Sequence, residues 1–239
     1  MKYLRSCLVV ASLLFSFGII GERAAGVWAA SLAGAAAAET ASPSGELASL
    51  SPDDLLARAI ENIRELDSYQ CRLKLYVTKG DRVQKSEYTF SYRKPNLVRM
   101  HVETGKDEGS TVIRREDGRI RGRREGLLSI FAVTLHSNDQ RLYDLWDRSF
   151  CDSDWLTLLS EMKERLRDAE DVRVEPAGSN GSLILLGIDG KGFVEQTWFD
   201  SRNLTLVQKE AWRDNGDYLK VVWSDISLNP QFEDDFFFF

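Results

Sequence analysis

From Tyr69 onward the chain keeps returning to a period of two. Tyr69, Cys71, Leu73, Leu75 and Val77 alternate with Gln70, Arg72, Lys74 and Tyr76. Successive side chains of a strand point to opposite faces, so this pattern marks a strand with one buried and one wetted face. Lys79-Gly80-Asp81 supplies a turn, and a partner strand at 82–93 carries Tyr88, Phe90 and Tyr92 on one face. Lys94-Pro95-Asn96 breaks the ladder, and Val98, Met100 and Val102 resume it. Residues 109–115 and 119–124 flank Glu116-Asp117-Gly118, an Asp-Gly hairpin signal. Further extended runs at 172–176, 182–188, 192–199, 205–213 and 218–226 are separated by turns rich in Gly, Asp and Asn. The sum is an antiparallel meander of roughly ten strands, and a sheet of that size curls or closes rather than staying flat.

Two segments have helical period instead. Ser51-Pro52-Asp53-Asp54 reads as an N-cap, a proline in the first turn and two acids facing the dipole, and Leu55, Leu56, Ala59, Ile60, Ile63 and Leu66 follow on one stripe. Ser153 is expected to cap a second helix reaching about Ala169, with Trp155, Leu156, Leu158, Leu159, Met162 and Leu166 as its broad apolar face. Between them, residues 127–150 admit both strand and helix. The expected class is α+β, mainly antiparallel β, with a large curved sheet closing around two amphipathic helices.

The N-terminus points to export. Lys2 and Arg5 precede an apolar run from Leu8 to Ile20, and Val27-Trp28-Ala29 fits a small-x-small cleavage site. The run is shorter than the ~20 residues that span a bilayer, and Glu22 and Arg23 close it. Residues 1–29 therefore read as a signal peptide, 30–50 as an Ala/Ser/Gly-rich flexible linker, and 51–239 as a single domain in the periplasm, with no stable transmembrane span. The net charge is −6, and cleavage would remove Lys2, Arg5 and Arg23 against Glu22 alone, leaving an acidic protein. Such a charge argues against nucleic-acid binding, despite the local cluster Arg114, Arg115, Arg119, Arg121, Arg123 and Arg124. Past Cys7 only Cys71 and Cys151 remain, which in an exported chain permits one disulfide or two separate buried thiols.

No constellation of catalytic residues stands out. The chain has no Gly-x-Ser-x-Gly elbow, no His-Glu-x-x-His, no phosphate-binding glycine loop and no paired-cysteine metal spacing, so no enzyme, metal or organic cofactor is implied. Asp152, Asp154, Glu161 and Glu164 gather on and around one helix start, where acids ordinarily answer the dipole. The arginine cluster fits either a grip on anionic headgroups or ordinary strand-surface charge. The terminal residues Phe236, Phe237, Phe238 and Phe239 raise an outer-membrane barrel as another class, but Lys85, Glu87, Arg99, Glu195 and Lys220 fall within the strands, where such a barrel needs apolar residues facing lipid.

The order of pieces resembles the LolA/LolB-like superfamily of periplasmic lipoprotein carriers, in a less characterised branch. The pieces are the helix leading into Leu66-Asp67-Ser68-Tyr69, the stretch Phe90-Ser91-Tyr92-Arg93-Lys94-Pro95-Asn96-Leu97-Val98-Arg99, the Asp117-Gly118 turn, Trp198-Phe199-Asp200 with Leu204, and Trp223-Ser224-Asp225-Ile226 with Asn229 and Asp235-Phe236. The resemblance implies an unclosed barrel whose concave apolar face, covered by helices, receives a lipid or lipoprotein acyl chain. On that basis the lining candidates are Leu73, Leu75, Phe90, Tyr92, Met100 and Trp198 from the sheet and Ile60, Ile63, Leu159 and Met162 from the helices. Arg72 is the candidate for holding the lid or a headgroup. The alternative is a periplasmic regulatory or scaffold module of the same fold that binds an envelope protein partner.

Overall fold

Ser51 opens the first helix, α1 (Pro52–Glu65), by accepting the Asp54 main-chain N–H on its hydroxyl at 3.1 Å. Pro52 loses no hydrogen bond in the first turn, and Asp53 and Asp54 face the positive end of the dipole. The buried stripe is Leu55, Leu56, Ala59, Ile60 and Ile63, and Leu66 turns to an extended conformation that delivers the chain into the sheet. The computed structural model describes residues 47, 49–126 and 132–239. The signal segment 1–29, nearly all of the linker 30–50 and residues 127–131 of the ambiguous stretch lie outside the described residues.

Eleven strands follow: β1 (Ser68–Lys79), β2 (Arg82–Arg93), β3 (Leu97–Thr104), β4 (Ser110–Arg114), β5 (Ile120–Arg124), β6 (Val133–Leu135), β7 (Ala169–Ala177), β8 (Leu183–Gly190), β9 (Phe193–Asp200), β10 (Leu206–Arg213) and β11 (Tyr218–Leu228), with helix α2 (Trp155–Arg167) between β6 and β7. They form one antiparallel sheet in the order β6-β5-β4-β3-β2-β1-β11-β10-β9-β8-β7. Two meanders are thus joined where β1 pairs with β11, setting Leu73 opposite Trp223 and Leu75 opposite Val221. The edge strands β6 and β7 do not pair, so the sheet is not closed into a barrel. The expected class, a large antiparallel sheet with two helices, is the one found.

Two local expectations change. β6 adds a strand in the stretch whose period was ambiguous, and at three residues it is too short to show one. The cap of α2 is Asp154, not Ser153. Its carboxylate accepts the Thr157 N–H at 3.0 Å, while the Ser153 hydroxyl donates to the Phe150 carbonyl at 2.6 Å and closes the preceding 3₁₀ turn. Asp154 is the better choice because it also pairs with Arg114 at 3.3 Å.

Both faces of the sheet are partly covered. Inside, strand residues such as Tyr69, Cys71, Phe90 and Tyr92 form one apolar core with the stripes of α1 and α2. Outside, Leu97 and Ile113 pack with Phe237, and Phe232, Phe236 and Phe239 join them. Arg93, Arg99, Arg115 and Arg123 lie over the rings of Phe237, Phe236, Phe238 and Phe239 at 5.0, 4.6, 5.4 and 4.5 Å. Arg99 and Arg115 also donate to the carbonyls of Phe236 and Phe239. Arg115 and Arg123 of the sequence cluster, with Arg93 on β2 and Arg99 on β3, thus hold the terminal phenylalanines, whereas Arg114 turns inward to Asp154 and Arg119 pairs with Asp117.

Candidate apolar-ligand site

The inner face of the sheet is filled at one end and open at the other. At the filled end Tyr69 stacks on Trp155 with ring centroids 4.0 Å apart, and on Tyr92 and Phe90 at 5.1 and 5.9 Å. The Tyr69 hydroxyl accepts the Trp155 main-chain N–H at 3.0 Å, fixing the start of α2 against β1. Arg114 ties the same helix start to the sheet through Asp154 and the Asn96 carbonyl. The helices extend from there over β7 and β8.

The other end of the face, under residues 141–153, encloses a cavity of about 530 Å³, within the range of small-molecule sites. Cross-strand pairing builds its wall. Trp223, Leu73, Tyr88 and Val102 stand in one row across β11, β1, β2 and β3, and Met100, Val112, Gly122 and Val133 in another across β3, β4, β5 and β6. At Gly122 the side chain of Leu135 fills the wall, its Cδ1 lying 3.1 Å from where a Cβ would stand. Leu142, Phe150 and Leu158 close the far side.

The covering segment is held by polar contacts. Gln84 Oε1 accepts the Leu145 N–H at 2.7 Å, Lys79 pairs with Asp147, and Asp144 accepts the Arg148 N–H at 2.9 Å. Arg213 stacks on Trp146 at 4.0 Å. Asp139 caps the 3₁₀ turn at Gln140–Leu142 and holds Arg141 at 2.7 Å, and hydrogen bonds from Arg141 bring its carboxyl down to about 2. Burial raises the carboxyl of Asp144.

Beyond the cavity the inner face carries charge. Glu195 on β9 and Lys209 on β10 pair at 2.7 Å, each side chain 2% exposed, and Arg165 of α2 meets the other carboxylate oxygen. Burial alone would raise Glu195, but Lys209, Arg165 and Arg148 outweigh it and hold the carboxyl below its usual value. Burial pulls Lys209 down to about 8 against the opposing pull of Glu195.

Of the candidate lining residues, Leu73, Leu75 and Met100 come together in the cavity wall. Phe90 and Tyr92 lie in the aromatic stack, and Ile60, Ile63, Leu159 and Met162 lie in the packed core between the helices and the sheet. Leu158, one position before Leu159, is the helix residue that reaches the cavity. Trp198 is on the outer face, between the inward Thr197 and Phe199. Arg72 is also on the outer face, paired with Asp225 at 3.3 Å. Cys71 and Cys151 are free thiols in this structure, and burial pushes Cys71 up to about 12. Glu161 and Glu164 pair with Arg165 and Arg167 on the helix surface. Among the described residues no cluster suits a metal ion, and no helix is long and apolar enough to cross a membrane.

The wall residues that sequence reasoning passed over, Val102, Val112, Leu135, Val221 and Trp223 among them, are selected by register rather than composition. Pairing β1 with β11, the junction of the two meanders, would have brought Val221 and Trp223 to Leu75 and Leu73.

No family model matches the chain, and no curated protein matches it. Solved structures do. A LolA superfamily protein from Nitrosomonas europaea is 10% identical over 79% of this chain and 97% of its own, with a TM-score of 0.41. The Mycobacterium tuberculosis lipoprotein LppX is 9% identical over 77% and 99%, with a TM-score of 0.42. In the complex of Pseudomonas aeruginosa MucA and MucB the match is 16% identical over 76% and 58%, with a TM-score of 0.44.

Proposed function

We propose that the chain is a non-enzymatic binding protein that holds a lipid or lipoprotein acyl chain, non-covalently, in the cavity between β1–β6, β11 and the 141–153 segment. In this reading residues 1–29 direct export to the periplasm and are removed, 30–50 form a tether, and 51–239 act as one domain in envelope lipid or lipoprotein trafficking. The observation that supports it is the cavity itself, whose two cross-strand rows are almost wholly apolar. Each methylene removed from water contributes about 0.8 kcal/mol, so ten would supply about 8 kcal/mol before the cost of association.

Two substitutions in the cavity wall, at partly buried positions, test the site. Met100→Glu places a charge in the wall, and Val112→Trp fills the space while keeping it apolar. Both variants are expected to lose a co-purifying acylated species while keeping wild-type far-ultraviolet circular dichroism and a cooperative unfolding transition. Retention of that species at wild-type stoichiometry in both would assign it elsewhere.

A further inference from the structure

We infer that the cavity receives a lipid whose head carries net negative charge, and that Arg148 is the residue that meets that head. The inference rests on the cavity being an acyl-chain site. Arg148 lies in the cavity wall, half-buried, and among the described residues no carboxylate stands within ion-pair distance of its guanidinium. Its neighbour Asp144 accepts the Arg148 main-chain N–H at 2.9 Å, and the Arg148 charge opposes the upward pull of burial on that carboxyl, so Asp144 offsets part of the cation without pairing with it directly. On the buried side, Arg165 and Lys209 share the single carboxylate Glu195, and Glu161 reaches Arg165 only from the partly exposed helix surface. Arg148 is close enough to act on the titration of both Glu195 and Lys209. Around Glu195 three cations, Arg148, Arg165 and Lys209, therefore face one fully buried carboxylate.

The rest of the wall leans the same way. Lys106 and Arg124 also line the cavity without an ion-pair partner among the described residues, whereas Asp107 is the other wall acid. A half-buried guanidinium with no direct carboxylate contact can still take an anion, and a phosphate head matches its planar donors two at a time. The apolar rows would take the chain and Arg148 the head, orienting the lipid.

The test uses two probes with the same palmitoyl chain, lysophosphatidylglycerol and lysophosphatidylcholine. Each is titrated as monomer into the full chain, with tryptophan fluorescence as the reading, since Trp223 lies in the wall. The anionic probe is expected to bind about tenfold more tightly, the size of one charge-assisted contact. Arg148→Gln should remove that preference while leaving the affinity for the choline lipid unchanged, and Arg148→Lys should keep it. Equal binding of both probes by the wild type would overturn the headgroup inference and leave the acyl-chain reading standing. Binding of neither would overturn both. An undiminished preference in Arg148→Gln would remove Arg148 from the role. The wild-type comparison decides the headgroup question even should Arg148→Gln fail to fold.

Discussion

Glu195 and Lys209 put a charge pair where strand alternation calls for two apolar side chains. Glu195 is the carboxylate that Lys209 and Arg165 share, so Glu195→Leu leaves Lys209 buried without its counter-charge and should cost about 3–5 kcal/mol in urea unfolding, with the added Lys209→Met recovering much of that loss. The pH dependence follows from the two directions. Glu195 titrates lower in the folded state than its ordinary 4.5, so its contribution is present above that value and is lost as pH falls through the lower folded one. Lys209 falls from 10.5 to about 8, so between these values the unfolded chain binds more protons and stability from this group rises with pH. Urea unfolding from pH 3 to 10.5 checks both limbs: Glu195→Gln should flatten the acid one and Lys209→Met the alkaline one. On the outer face, Phe237 is fully buried and Phe238 is 47% exposed. Phe237→Ala should therefore cost about 3–5 kcal/mol and Phe238→Ala less than about 1 kcal/mol, which the same unfolding measurement separates.

At the scale of elements, the two helix starts differ in what their caps support. Ser51 caps an exposed turn, so Ser51→Ala should cost about 1 kcal/mol. Asp154 caps α2 and neutralises the largely buried Arg114, so Asp154→Ala should cost about 3–5 kcal/mol, read by denaturant midpoint. Both helices and most strands were legible because each has a clean period: Tyr69 to Val77 alternate almost without exception, and so do Val98, Met100 and Val102. β6 was not, being only Val133–Leu135. The face of β9 was misread for a physical reason. Phe193, Val194, Trp198 and Phe199 do not alternate, and the inward positions between them are polar: Glu195, made tolerable inside by Lys209 on the next strand, and Thr197. A pattern that equates polar with outward thus sent Trp198 to the wrong side.

At the scale of the molecule, the same period-two alternation produces two different faces. The inner one is part packed core and part cavity, and the outer one carries the phenylalanine segment under its arginines. Sequence could not divide the inner face, because a dry core and an acyl-chain pocket use the same residue types. The division comes from which residues the aromatic stack of Tyr69, Tyr92 and Trp155 consumes and which it leaves at Met100, Val112 and Gly122. The claim on which the account turns is that this remaining space is occupied in the cell. Native mass spectrometry of the protein, gently purified from its own envelope and followed by extraction of bound apolar material, tests it directly. The account predicts a stoichiometric acylated species. A clean ligand-free mass that stays unchanged after incubation with lipids and lipopeptides would contradict it and favour a module that binds a protein partner.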